Sequence, residues 1–144
     1  MVTFTMADAL AQAASAIATG GFLNGAKVAL WTAGPSNIGP YSVLADFTLA
    51  TFTGSTPIAS AWGTPYISSD GTAHVDFLAS FHVTGGTVFE TIKGFVLTDS
   101  AGAVLKAAEA FASPVGLGQV GAALEFICPF NVPCVPGVSS KVVS

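Results

Sequence analysis

Arginine is absent from this 144-residue chain, and lysine occurs only at Lys27, Lys93, Lys106 and Lys141. Nucleic-acid binders need clustered Lys and Arg to displace counterions from phosphate, so no direct role on DNA or RNA is expected. Charge of either sign is scarce: 8% of residues are charged, against about 25% in ordinary soluble domains. The net charge of −4 is too small to call for a cationic partner. Long apolar runs are missing too. The mean hydropathy is +0.69, yet Gly, Pro, Ser and Thr break every stretch before it reaches the roughly 18 residues of a membrane helix. No membrane partner is therefore expected. The opening MVTFTMADALAQAASAIATGG has no basic segment and carries Asp8, unlike a secretory signal. Synthesis in the cytoplasm without an export peptide is the expectation.

Cysteine and histidine occur twice each, which leaves little for metal or catalytic chemistry. Cys128 and Cys134, in CPFNVPC, have the spacing of a small disulfide loop, but reduced, partly buried thiols suit a cytoplasmic product better. Without His or Cys partners at zinc spacing they make no metal site. His74 and Asp76 lie two apart in an extended stretch and so share a face, which His82 joins if the strand is unbroken. A His-x-Asp pair is a fragment of a metal or acid–base site that lacks a third ligand; a solvated strand face accounts for it more simply. No phosphate-binding glycine loop opens a helix, and no Gly-x-Ser-x-Gly elbow occurs. No catalytic residue, cofactor or metal is expected, and the chain is not read as an enzyme.

What is present is mostly β pattern. At this length one domain with a real core is expected, divided as an N-terminal helix or arm over 1–24, a β domain over 25–130 and an extended C-terminal arm over 131–144. The spacing of Met6, Leu10, Ala13, Ala14 and Ile17 predicts a helix from Thr5 to Ala18, with Thr5 as its cap, Asp8 in the first turn and Gly20–Gly21 as its stop. Its thin alanine stripe suits close packing on a flat surface, its own sheet or a neighbour. AKVALWTAG, 26–34, predicts a strand buried on both faces. The segment SVLADFTLATFTG, 42–54, is ambiguous between a helical turn and extended chain. SSDGTAHV predicts a hairpin turn at Asp70-Gly71. GTVFETIKGFVLTDSAGAVLKAAEAF, 86–111, reads as two strands joined by TDSAG, and GQVGAALEFICPF supplies one more. Six to eight strands after one helix predict an antiparallel β-sandwich or jelly-roll-like domain.

The 86–111 hairpin is apolar on both sides. Val88, Glu90, Ile92, Gly94 and Val96 alternate with Phe89, Thr91, Lys93, Phe95 and Leu97, so the strand needs cover on each face. Such a pair is too apolar for an exposed edge in a dispersed monomer. Phe89, Phe95, Leu97, Leu105 and Phe111 are the candidate interface residues. The prolines Pro129, Pro133 and Pro136 suit an arm that drapes over a neighbour.

LADFTLATFTG (Leu44 to Gly54) followed by GFVLTDSAGAVLKAAEAF (Gly94 to Phe111) resembles small structural proteins encoded by tailed bacteriophages. The resemblance covers about half of the chain as a pattern of apolar and turn residues. It departs from that pattern in the alanine-rich helix, the lack of arginine and the cysteine-bearing tail. It implies a virion component of capsid-decoration or cement type, with no catalytic residues, packing against copies of itself and other virion proteins. The alternative is a carbohydrate- or receptor-binding β-sandwich. Among Trp31, Tyr41, Trp62 and Tyr66, its stacking platform would be Trp62 and Tyr66, which bracket a loop.

Overall fold

The structure is a computed structural model that describes residues 4–69, 71–86 and 89–135. It is mainly β, with one helix and two largely antiparallel sheets, a β-sandwich-like fold behind an N-terminal helix. The strands are β1 (Phe4–Thr5), β2 (Lys27–Ala33), β3 (Thr48–Leu49), β4 (Ile58–Ala59), β5 (Tyr66–Ile67), β6 (Thr72–His82), β7 (Glu90–Thr98), β8 (Leu105–Leu117) and β9 (Ala123–Val135); the helix α1 is Met6–Ile17. One sheet runs β1-β9-β6-β5, with β1 parallel to β9. The other runs β3-β2-β7-β8, with β4 also on β2.

Two compact units emerge, and they do not follow the linear division of helix, β domain and arm. The first gathers residues 1–24, 61–78 and 127–144; the second holds 25–60 and 79–126. Strands β6 and β9 each contribute to both.

In the first unit, Thr5 caps α1 as expected, its Oγ1 accepting from the Asp8 N–H at 3.3 Å. The buried helix face is narrower and shifted relative to the sequence pattern. Ala9, Ala13 and Ala16 are buried, Met6, Leu10 and Ile17 flank them, and Ala14 is exposed. Alanine leaves no side chain to hold the helix off the sheet, so α1 sits directly on Ala73, Val75 and Val132. The flat surface it packs on is its own sheet. Strand β6 shows the reason: Ala73, Val75, Phe77, Ala79 and Phe81 are buried while the residues between them face outward. Residues 131–135 continue β9 as regular strand rather than opening an arm; 136–144 lie outside the described residues. Cys128 is buried on β9 and Cys134 lies six positions along the same strand. An extended strand sets such Cα atoms about 20 Å apart, beyond the reach of a disulfide between them.

The second unit is two-layered. Strand β2 pairs with β7, setting Val28 opposite Leu97, Leu30 opposite Phe95 and Trp31 opposite Gly94. On one face Phe95 meets Phe126 at 4.9 Å and Phe111 at 6.1 Å, and Phe126 stacks in turn on Phe81. On the other face lie Ala29, Trp31 and Val96, covered by Leu44, Phe47 and Leu49. Both faces of β2, and of β7 from Gly94 to Thr98, are therefore buried, as the sequence predicts, and both covers come from this chain; Thr91 and Lys93, earlier in β7, are exposed. The ambiguous segment resolves into each of its alternatives in turn: a 3₁₀ turn at Leu44–Asp46, then β3. Asp46 Oδ2 accepts from the Val43 N–H at 2.9 Å and closes the turn.

Candidate functional site

Strand β8 is thirteen residues long and, among the described residues, hydrogen-bonds to β7 alone. Its outer side is a row of backbone donors and acceptors open to a further strand. The turn before it is firmly built. Asp99 Oδ1 accepts from the Ala103 and Val104 N–H groups at 2.8 and 3.2 Å, and Asp99 N–H donates to the Val104 carbonyl at 3.0 Å. Those N–H groups, Ala103 first and Val104 second, hold the Asp99 carboxyl below its ordinary value, with Lys106 adding a smaller Coulombic pull.

Natural edges are blunted by charge, proline or a bulge. Strand β8 has a bulge and a proline near its end: the register against β7 jumps from Gly94↔Ala110 to Ile92↔Val115, and Pro114 lies in the looped-out stretch. A second register shift, between Leu97↔Ala107 and Thr98↔Leu105, falls at Lys106; the charges of Leu105 to Ala110 are Lys106 and Glu109. Lys106, Ala107, Glu109 and Ala110 are exposed, and Val104, just before the strand, is 58% exposed.

The five candidate interface residues separate here. Phe95 and Leu97 are buried in the second unit's own core, so an interface does not need them. Leu105 and Phe111 are half-buried. Phe89 is 67% exposed; its ring lies over Gly116 and Gly118, where a Cβ on Gly116 would come within 2.7 Å of it. With Gly116, Gly118, Gln119 and Ala122 it lines a shallow cleft of about 250 Å³. Val88 lies outside the described residues.

The proposed stacking platform is engaged otherwise. Trp62 donates its indole N–H to the Leu23 carbonyl at 3.3 Å and packs edge-on against Phe77. Tyr66 is 47% exposed, stacks on His74 at 5.3 Å and donates its hydroxyl to Asp76 Oδ2 at 2.7 Å. Trp31 is buried, and Tyr41 is fully solvated in a loop.

His74, Asp76 and His82 share the outward face of β6, as their spacing predicts. Sequence spacing does not reveal what meets His74 there. Ser68 Oγ lies 2.8 Å from its Nε2, and Asn131 Oδ1 lies 2.6 Å from its Nδ1. Ser68 belongs to the β5–β6 turn, whose Asp70 is outside the described residues, and Asn131 is 57 residues away on β9. Among the described residues no group of three or more His, Cys, Asp or Glu side chains is placed to hold a metal ion, and no helix is long and apolar enough to cross a membrane.

No protein-family model, curated protein or solved structure matches the chain.

Proposed function

We propose that this protein is a structural subunit of a tailed-bacteriophage particle, of decoration or cement type, that joins copies of itself through the open edge of β8. The observation carrying this reading is the Leu105–Ala110 stretch: an edge with two charges and no proline, irregular against β7 at Lys106, in a chain that is charge-poor throughout. An incoming strand would satisfy its outward backbone groups without stripping water from charged side chains. Exposed Val104 precedes that edge and adds apolar area, and exposed Phe89 does so at the far end of β8, over Gly116 and Gly118. The phage assignment rests on the sequence resemblance of Leu44–Gly54 and Gly94–Phe111; the geometry contributes the surface.

The test is the mass in solution, by light scattering behind a sizing column, over a range of concentrations and at two salt levels. A discrete oligomer whose mass ignores salt is expected, because backbone pairing and apolar contact are screened little by ions. A 14.4 kDa monomer at the highest concentration overturns self-assembly. If the oligomer is found, mass spectrometry of purified particles should then recover the protein at stoichiometric abundance.

A further inference from the structure

Ser68, His74 and Asn131 form a continuous hydrogen-bonded chain on the outward side of the first sheet. An amide Oδ1 accepts only, so Asn131 requires a proton on Nδ1 of His74; in the neutral ring Nε2 is the acceptor. The Nε2 lone pair is then turned toward Ser68 Oγ, 2.8 Å away. Ser68 has a second acceptor for its proton, the Thr72 carbonyl, at the longer distance of 3.3 Å. Tyr66, directly opposite His74 in the β5–β6 ladder, lays its ring on the imidazole at 25° and is itself held by Asp76. The imidazole is thus fixed at both nitrogens and on one face. This is the order of nucleophile, base and orienting group that activates a serine.

We propose that Ser68 is a nucleophile that accepts an acyl group from small carboxylic esters, with His74 as its general base and Asn131 as a positioning residue. Tyr66, 47% exposed, offers a ring against which a small aryl ester can rest. Ser68 Oγ forms a bond to the ester carbonyl carbon as its proton passes to His74 Nε2. The bond from that carbon to the leaving oxygen breaks, its electron pair goes to that oxygen, and Nε2 returns the proton to it. Water then attacks the acyl-serine by the same route, giving the carboxylic acid and restoring Ser68. The proposal is independent of the assembly reading.

The chain carries its own comparison. Ser80 Oγ lies 3.0 Å from His82 Nε2 on the same strand face, but no group among the described residues holds His82 Nδ1. Ser80 also lies 3.5 Å from Glu125 Oε1. If the orienting group matters, Ser68 reacts and Ser80 does not.

The experiment treats the purified full chain with p-nitrophenyl acetate and reads intact mass and peptide maps over time, with circular dichroism confirming that each variant is folded. One acetyl group at Ser68 is expected. Its rate of appearance should fall about a hundredfold in His74→Ala, the usual scale for a positioned base. It should fall roughly tenfold in Asn131→Ala and recover in Asn131→Asp, whose carboxylate still accepts from Nδ1. Acetylation of the lysines alone, equal acetylation of Ser68 and Ser80, or labelling of Ser68 indifferent to folded His74→Ala would each overturn the proposal.

Discussion

Gly94 is the residue on which the second unit's packing turns. It lies opposite Trp31 on one side and Ala110 on the other, and the Trp31 indole crosses it to donate to the Phe95 carbonyl at 3.2 Å. A Cβ at this position would fall 2.6 Å from the indole and closer still to the Glu109 carbonyl. Gly94→Ala is expected to cost about 1–3 kcal/mol through forced displacement of a buried ring. Gly102 differs: its φ of +73° strains any other residue, but the space beside it is open. Gly102→Ala should cost only about 1 kcal/mol, and chemical denaturation of both variants checks the order. Asp99 adds a pH dependence to the same hairpin. Its folded value lies below the unfolded one of about 3.9, so its stabilisation is complete above that pH. It is lost as pH falls through the lower folded value. Urea midpoints between about pH 2 and 6 should show this acid loss in the native chain and less of it in Asp99→Asn.

At the scale of elements, Glu90 at the start of β7 ties down the loop that follows β3. Its carboxylate accepts from the backbone N–H groups of Thr51 and Phe52 at 2.8 and 2.6 Å. Glu90→Ala should destabilise by about 1–3 kcal/mol, chiefly the cost of stranding the partly buried Phe52 N–H, again read from denaturant midpoints. Strand β8 should behave differently. Ala107→Lys with Ala110→Lys places charge at exposed positions of an open edge; the doubly substituted chain should lose its self-association and unfold at the midpoint the native chain shows when diluted to monomer. Local pattern made much of this readable. Period-two burial in β6 and the Thr5 cap of α1 depend on residues a few positions apart, and both follow from the sequence. The Leu44–Leu49 cover over Trp31 and Val96, and the register jump before Val115, depend on partners far along the chain. No periodicity encodes them. The same limit hid the polar chain on β6. His74 and Asp76 were legible as a same-face pair, whereas Ser68 and Asn131 reach His74 only through the β5–β6 turn and the placement of β9.

At the scale of the whole molecule, scarcity of charge leaves association to be governed by backbone and apolar surface, and the sheet margins decide how far it goes. Among the described residues β1 and β5, of two residues each, cover only short lengths of β9 and β6, while β3 and β4 line the two ends of β2. Strand β8 is a long margin, as is β9 before Cys134, whose side away from β6 pairs only with β1. On the proposed reading, two copies that join edge to edge through β8 consume what each had to offer there. Fibres need a second such edge on every subunit. A third chain would then need a different surface, and among the described residues the side of β9 away from β6 is a margin of comparable length.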